Sequence, residues 1–377
     1  MNLSFTEEQE MLRTSARDFL TKECPKSKVR ELEEDDKGYD SQMWHKMAEL
    51  GWMGLVLPEQ YGGSAGTFLD MVVLLEEMGK NILPAPFFST IALCSIPILE
   101  FGSEEQKNTF LSPIAIGDTI LALALTEPSA TYKPLGIQLR ATRDGDNYVL
   151  TGNKLFVSYA NVADYLLVAA RTNDGATPEE GITLFLVDTT NPGIKVEITP
   201  TIATDKQCEI SFDNVKVPSN SVLGHVDNGW MIVDFILQRA TILKCAEVLG
   251  SCQATLDLAN SYAKERVQFD RPIGSFQAIQ HKLADMMIEI EGTRYVLCEA
   301  AWRIDNGIDA SLEISMAKVK VNEVYERTCI DGIQIHGAIG FTKDHDIGLY
   351  YRRVKAAQFA LGDADFHRER IAAQLGL

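Results

Sequence analysis

The sequence changes its hydrophobic period twice, and this succession limits the architectures that the chain can adopt. Apolar residues recur at helical spacing through most of the first 119 residues. From about Leu139 to Val217, short β-branched runs alternate with turn residues, and helical spacing returns after Gly229. No βαβ alternation is present and no Gly-x-Gly-x-x-Gly follows a strand pattern, which argues against a Rossmann domain. The order of elements therefore predicts a mainly α chain with a central β domain.

Three segments follow from this pattern. Residues 1–119 form an N-terminal helical domain, 120–228 a small antiparallel β-barrel or sandwich, and 229–377 a C-terminal helical domain. Within the β segment, three turn signals are expected to separate strands, namely Asp144-Gly145-Asp146, Thr151-Gly152-Asn153 and Asn173-Asp174-Gly175. At the N-terminus, Thr6 and Gln9 have the spacing of a helix capping box.

Charge and cysteine usage exclude several functional classes. Lys and Arg number 35 against 53 Asp and Glu, so the net charge of −18 disfavours binding to nucleic acid or to an anionic membrane. The seven cysteines show no Cys-x-x-Cys, which predicts reduced thiols and a cytoplasmic location. We expect no secretory signal and no membrane span, because apolar runs such as 120–125 are too short. His281 and Asp285 lack a third partner at suitable spacing, so no metal site is expected.

The stretch from Glu265 to Gln280 is the strongest candidate binding segment. Pro272 and Gly274 interrupt two helical patterns there, one leading in from about residue 246 and one running from about 275 to 303. The interruption carries a fixed cation, amide donors and an aromatic ring, supplied by Arg266, Gln268, Phe269, Arg271 and Gln277. These groups suit a ligand with a phosphate and a ring, although a surface hairpin with solvated charges explains them as well.

Four motifs in order extend this interpretation to the whole chain. They are Arg266-x-x-Phe269-Asp270-x-x-Ile273-x-x-Phe276-Gln277, Leu57-Pro58-Glu59-Gln60-Tyr61-Gly62-Gly63, Ala124-Leu125-Thr126-Glu127-Pro128, and Gln334-Ile335-His336-Gly337-Ala338-Ile339-Gly340-Phe341. Together they closely resemble the acyl-CoA dehydrogenase family. The resemblance implies a helical, β-barrel and four-helix-bundle architecture, an FAD cofactor and a CoA thioester substrate. It also implies a homodimer or tetramer, or an assembly with a paralogous subunit, and an electron acceptor such as an electron-transfer flavoprotein.

The resemblance assigns expected roles to particular positions. Thr126, Phe156 and Ser158 would line the flavin ring, although a lone strand aromatic such as Phe156 is more often a core residue. Arg266, Gln268, Phe269 and Gln277, with Gln334, Gly337 and Gly340, would reach the FAD of a neighbouring subunit. Phe235 and Arg239 lie one helical turn apart and would contact the CoA thioester, a solvated charge being the alternative for Arg239. After Pro128 the sequence departs from the family pattern, and Tyr132 is expected to narrow the substrate channel.

The family's catalytic base is missing from both of its usual positions. Leu361 occupies the position of the glutamate in a Glu-Gly-Thr segment, and Gln238, before Arg239, occupies the alternative helical position. Neither side chain can accept a proton from carbon. Asp363, two residues after the usual base, is the nearest carboxylate and the candidate base, although in the family this position faces the cofactor. Asp365 follows where carboxylates also cap helices. The ending Gly362-Asp363-x-x-x-His367-Arg368 is similar to subunits of heteromeric family members.

Three functions remain open from the sequence. The first is α,β-desaturation of an acyl-CoA with an atypical or partner-supplied base. The second is a non-catalytic partner subunit that completes FAD sites in a heteromer. The third is a flavin enzyme with a different chemistry on CoA esters, such as reduction.

Overall fold

The computed structural model describes residues 5–377 as two compact units, each assembled from separate stretches of chain. One unit contains the residues up to Glu31, Thr67–Leu83 and Thr241–Leu377, and is helical except for one small hairpin. The other unit contains Leu32–Gly66 and Pro84–Ala240, and carries the main β-sheet. Each unit combines residues from more than one of the three segments proposed from the sequence.

The α-helices follow in chain order. They are α1 Glu7–Glu23, α2 Lys26–Glu34, α3 Ser41–Glu49, α4 Phe68–Asn81, α5 Ile96–Phe101, α6 Glu104–Ala115, α7 Gly229–Glu265, α8 Gln277–Asp305, α9 Ser311–His336, α10 Ile347–Phe359 and α11 Ala364–Gln374. A π-helical stretch, Phe88–Ser95, precedes α5. The predicted capping box at Thr6 and Gln9 is confirmed, and capping boxes also open α4 at Thr67 and α6 at Ser103. Such boxes satisfy backbone N–H groups that helix starts leave unpaired.

The helical unit places α4 against α7 with the two backbones in direct contact. A Cβ atom at Gly79 would lie 1.8 Å from the carbonyl oxygen of Glu247, and one at Gly250 would lie 1.9 Å from that of Glu76. Glycine is therefore required at both positions. The buried Glu76 carboxylate is paired with Arg294 of α8 at 2.8 Å, which compensates a charge that could not otherwise be buried.

The strands follow in the same way. They are β1 Leu121–Ala124, β2 Arg140–Asp144, β3 Asn147–Ser158, β4 Tyr165–Arg171, β5 Ile182–Asp188, β6 Ile194–Thr199, β7 Gln207–Pro218, β8 Val222–Leu223, β9 Val267–Gln268 and β10 Arg271–Pro272. The first eight form one sheet in the order β6-β7-β3-β2-β4-β5-β8, with β1 beside β4. Most pairs are antiparallel as predicted, but β1 and β2 each run parallel to β4. Strands β4 and β5 are buried along nearly their whole length.

Two local predictions need correction. Thr151-Gly152-Asn153 is not a turn, because these residues lie within the continuous strand β3. Gly152 has φ of +143° and a Cβ there would lie 3.1 Å from the Cα of Leu139, so glycine serves a close backbone approach. The connection between α7 and α8 is a β-hairpin, β9 with β10, where a simple helix turn was expected, and α7 begins at Gly229, well before residue 246. The turns at 144–146 and 173–175 are confirmed.

No helix in residues 5–377 is long and apolar enough to cross a membrane. Within the same residues, no group of three or more His, Cys, Asp or Glu side chains is arranged to hold a metal ion.

Candidate active site

A buried ion pair joins the segment after β1 to strand β3. Lys154 Nζ lies 2.7 Å from Glu127 Oε1, and both side chains are almost completely buried. The same ammonium group donates to the carbonyl of Leu125 at 3.0 Å, while the Glu127 carboxylate accepts from the backbone N–H groups of Gln138 and Leu139. Burial lowers the pKa of Lys154 to about 8, although the Glu127 carboxylate acts in the opposite direction.

Strand β3 bulges immediately after this ion pair. Its register against β7 shifts between Lys154 and Val157, so that one extra residue is accommodated. Phe156 in the bulge has φ of +54°, and 52% of its surface is exposed. This exposure excludes the alternative in which Phe156 is a core residue. A non-glycine residue in this conformation is strained, and such strain is concentrated at functional sites.

Thr126 and Ser158 lie on either side of the bulge. The carbonyl of Thr126 accepts from the N–H of Leu155 at 2.8 Å, which ties the segment after β1 to the bulge. Thr126 is half-buried, and none of the hydrogen bonds described for residues 5–377 uses its hydroxyl group. Ser158 Oγ exchanges hydrogen bonds with the Gln207 side chain. Thr126, Phe156 and Ser158 thus lie in the same compact unit, and their contact with a flavin stays a prediction.

The hairpin of β9 and β10 presents the second group of predicted residues. Its two-residue loop is Phe269-Asp270, and both residues have positive φ, as in a type I′ turn. Phe269 is 85% exposed. The Arg266 side chain is also exposed, and it has no hydrogen-bond or ion-pair partner in residues 5–377. Gln268 and Gln277 are likewise exposed, so the hairpin displays donors and an aromatic ring to the solvent.

A groove of about 440 Å³ lies at the base of this hairpin, lined in part by Lys264, Pro272 and Gln280. On the hairpin itself, the Arg271 guanidinium lies over the Phe276 ring at 4.0 Å from its centroid. The stacking holds the Arg271 guanidinium against the Phe276 ring. Of Arg266 and Arg271, Arg266 is therefore the one whose guanidinium is available to an anionic ligand.

The third group lies where α9 ends. Gln334 is exposed, and Gly337 has φ of 63° and ψ of −139°, a conformation that essentially only glycine adopts. Gly340 is buried, and a Cβ there would lie 3.0 Å from the carbonyl oxygen of Ile333. Packing within the loop is therefore sufficient to require glycine at position 340. Its predicted approach to a phosphate stays a prediction.

The start of α7 carries the residues expected at the thioester. The Arg239 guanidinium lies 3.6 Å from the centroid of the Phe235 ring, so the two share one helix face as their spacing predicts. Burial lowers the pKa of Arg239, so its guanidinium is not the fully solvated charge of the alternative interpretation. Gln238 donates to the Asp234 carboxylate at 2.6 Å.

The loop between α10 and α11 carries Leu361, one of the two positions where the resemblance places the catalytic glutamate. Leu361 has φ of +61° and is buried, and Gly362 follows with φ of +97°. Asp363 is the N-cap of α11, and its Oδ1 accepts from the N–H of Phe366 at 2.8 Å. The cap gives Asp363 a structural role that is sufficient to explain its presence.

Buried polar side chains hold this loop in place. Lys318 Nζ donates to the carbonyl of Ala357 at 2.6 Å and to Asn322 Oδ1 at 3.1 Å, and Asn322 reaches the carbonyl of Gln358. His367 Nε2 lies 3.0 Å from the carbonyl oxygen of Leu361. These contacts satisfy carbonyls that the end of α10 leaves unpaired. We call Lys318, Asn322 and His367 the loop frame.

Burial also changes the protonation of the loop frame. It lowers the pKa of Lys318 to about 8 and that of His367 to about 4. His367 is therefore neutral near pH 7 and donates from Nε2, while Ser315 Oγ faces its Nδ1 at 3.4 Å.

Family comparisons agree with this architecture along the chain. Models of the N-terminal, middle and C-terminal domains of acyl-CoA dehydrogenases match residues 6–118, 122–215 and 227–376. The chain belongs to the acyl-CoA dehydrogenase family. It is 34% identical to a 3-(aryl)acrylate reductase of Clostridium sporogenes, over 98% of this chain and 99% of the relative.

Solved structures of the family are equally similar. Butyryl-CoA dehydrogenase of Megasphaera elsdenii superimposes with a TM-score of 0.94 at 31% identity, with 100% of both chains covered. A chain of the ChsE4-ChsE5 complex of Mycobacterium tuberculosis gives a TM-score of 0.90 at 29% identity, covering 100% of this chain and 99% of the other. The chain is thus an oxidoreductase-family protein of a flavin-dependent class.

The residues present fit FAD. Phe156 offers an exposed ring next to a half-buried hydroxyl, and the hairpin and the Gly337 turn offer a cation and exposed backbone. Sequence reasoning missed Lys154 and Lys318, since a lysine in an amphipathic pattern is ordinarily solvated. It noted His367 only as part of a motif, without its contact to Leu361.

Proposed function

We propose that this chain is an FAD-dependent oxidoreductase acting at the α,β-carbons of a CoA thioester, with an atypical or partner-supplied base. The observation that carries the proposal is a contrast within the chain. The features expected to face flavin are present, whereas Leu361 and Gln238 leave both usual base positions without a carboxylate.

Each group of residues has a defined task in this proposal. Thr126 and Ser158 donate to the polar edge of the flavin ring and Phe156 packs on its face. Arg266 and Gln277, with the Gln334 to Gly340 turn, hold the diphosphate of an FAD bound by a second copy or a paralogous chain. Gln268 and Phe269 complete that surface. When bound, FAD supplies the acceptor for the hydride that leaves the β-carbon.

Proton removal from the α-carbon defines the remaining requirement. A base must lie in a pocket from which water is excluded, and Leu361 provides the apolar wall without the carboxylate. Asp363 is the nearest carboxylate along the chain, but one of its oxygens is already committed to capping α11. A base from a partner chain therefore agrees better with the contacts of this loop. Phe235 and Arg239 would hold the CoA portion of the thioester.

Two alternatives have an observation in their favour. The similarity to a chain of the ChsE4-ChsE5 complex supports a partner subunit without activity of its own in a heteromer. The similarity to a 3-(aryl)acrylate reductase supports the reductive direction. In either case the assembly would be a dimer or tetramer, and an electron-transfer flavoprotein is the proposed redox partner.

Purification with and without a paralogous subunit tests the proposal. We expect yellow protein that releases FAD on denaturation, and flavin bleaching by an acyl-CoA only when a base is supplied. Leu361→Glu should give the homo-oligomer measurable bleaching, because general bases contribute about 10²–10⁴-fold, while Leu361→Gln, of similar size, should not. Colourless protein that cannot be reconstituted contradicts FAD binding. Rapid bleaching by the wild-type homo-oligomer would show that a base exists elsewhere, and Asp363→Asn would then identify or exclude Asp363.

The role of Arg266 has its own test. Arg266→Ala removes a charge-assisted contact worth about 1.5–3 kcal/mol and should weaken FAD retention, with unchanged circular dichroism. Arg271→Ala is the matched control, because that guanidinium is stacked on Phe276 in the same hairpin. Equal FAD affinity in the wild type and in Arg266→Ala would show that Arg266 is a solvated surface residue without a role in FAD binding.

A further inference from the structure

The segment after β1 and strand β3 are joined by more contacts than the sheet requires. The Lys154 ammonium group on β3 donates hydrogen bonds to the Leu125 carbonyl and to the Glu127 carboxylate. Between them, the N–H of Leu155 donates to the Thr126 carbonyl. Backbone pairing alone would supply only the middle contact. The two outer contacts depend on one side chain, and that side chain is 0% exposed.

A buried ion pair is a poor way to gain stability alone. Removing two charges from water is unfavourable, and apolar residues of similar volume are often as stable or more so. The pair nevertheless has every acceptor accounted for, because Glu127 also accepts from two backbone N–H groups at 2.9 and 3.0 Å. Both carboxylate oxygens thus have donors, and these contacts restrict the positions of the two side chains.

The Glu127–Lys154 ion pair lies next to two of the residues that are proposed to face the flavin. Thr126 lies between the two residues that Lys154 contacts, and Phe156 follows two residues after Lys154 in the bulge. Phe156 is exposed and has positive φ, so neither packing nor backbone preference holds it there. Its position is constrained from both sides, by the contacts at Lys154 and Leu155 and by the pairing of Val157 and Ser158 with β7.

We propose that Glu127 and Lys154 are positioning residues that fix Thr126 and Phe156 relative to each other, and so set the orientation of the bound flavin ring. This inference rests on the proposed FAD binding and adds the pair that acts through the two flavin-facing residues. Loss of the pair would move the hydroxyl group and the aromatic ring independently, which changes the polarity and stacking around the flavin.

A double variant separates positioning from stability. Glu127→Gln/Lys154→Met removes both charges, so no unpaired charge is left buried. The Leu125 carbonyl loses its donor, which should lower the unfolding temperature without preventing folding. The folded double variant should hold FAD about tenfold more weakly, with shifted visible absorption maxima and a changed reduction potential. The single variant Glu127→Asp keeps both charges, so its flavin spectrum should be closer to that of the wild type than the spectrum of the double variant is.

An exposed ion pair of the same sheet provides the control. Asp144→Asn/Lys216→Met removes charges that lie 3.0 Å apart on the surface, and it should leave both stability and spectrum unchanged. If the Glu127→Gln/Lys154→Met protein binds FAD with unchanged affinity, spectrum and potential, the pair is only structural and the proposal is overturned. Wild-type protein that binds no FAD would overturn the proposed function itself, which is a different result. If the double variant does not fold, Glu127→Asp serves instead, because the shorter side chain cannot keep all three contacts of the carboxylate. A flavin affinity, spectrum and potential identical to those of the wild type would overturn the proposal there too.

Discussion

Two buried lysines in this protein are stabilised in different ways, one in each compact unit. Lys154 in the sheet-bearing unit faces the Glu127 carboxylate. Lys318 in the helical unit has no carboxylate within 4 Å among the described residues, and it donates to a backbone carbonyl and to an amide oxygen. Burial nevertheless lowers the pKa of both lysines to about 8.

The difference shows two ways to accommodate a buried cation. Lys154 depends on one opposite charge, so its environment fails if that charge is removed. Lys318 belongs to α9, but its ammonium group contacts the C-terminal end of α10, where the helix dipole and unpaired carbonyls already favour a cation. Its stabilisation is distributed over neutral groups, and no single partner is indispensable. The loop frame should therefore tolerate substitution better than the ion pair.

The largest effect is expected at the ion pair. Glu127→Gln leaves Lys154 buried without a counter-charge, and breaking a buried pair in this way should lower the free energy of unfolding by about 3–5 kcal/mol. Urea unfolding of FAD-free protein measures this change. Asp174→Asn, in the exposed pair with Arg140, is the control and should change stability by about 0–1 kcal/mol. A comparable small change in Glu127→Gln would remove the contrast between the two lysines.

A smaller effect is expected at Lys318. Lys318→Met leaves the Ala357 carbonyl and the Asn322 amide oxygen without their donor, which should destabilise by about 1–3 kcal/mol at pH 7. Because the folded pKa of about 8 lies below the unfolded value of 10.5, the wild type should gain stability relative to the variant as pH rises from 8 to 10.5. Unfolding at several pH values tests this.

The control is Lys320→Met, on the same helix, where an exposed lysine pairs with Glu289. A difference between wild type and Lys318→Met that stays constant from pH 8 to 10.5 would contradict the buried-lysine explanation.

The smallest effect is expected at His367 under mild acid. Its folded pKa of about 4 lies below the ordinary value of 6.5, so the unfolded chain binds the proton first and stability falls as pH drops from 6.5 towards 4. At pH 6 this amounts to about 1 kcal/mol. Lys318 and Arg370 oppose protonation and Asp363 favours it. His367→Gln keeps a donor for the Leu361 carbonyl but cannot titrate, so its unfolding should lack this acid dependence. Parallel acid curves for the two proteins would contradict the prediction.

The sequence predicts these features to different extents, for physical reasons. The Arg266 to Gln277 segment is visible because Pro and Gly interrupt two helical patterns, and its exposure follows from local chemistry. The turn prediction at Gly152 fails because glycine is typical both of turns and of sites where two backbone segments lie close together. Only the contact with the backbone of Leu139 distinguishes the two cases. Burial of Lys154 and Lys318 is set by partners 27 and 39 residues away, which no local pattern encodes. That position 361 carries no carboxylate can be read from the sequence, whereas the cap made by Asp363 depends on how the loop folds.

The discontinuous assembly of the helical unit has a consequence during protein synthesis. Glu76 in α4 leaves the ribosome 218 residues before its partner Arg294. At about 5–20 residues per second, this interval lasts on the order of 10–40 s. During that time α1 and α4 lack the surface against which α4 is buried, including the glycine contact with α7. The nascent helices therefore expose an apolar face with an uncompensated carboxylate until the last third of the chain emerges. A ribosome stalled within the sheet would hold them in that state, where chaperone binding is the expected protection.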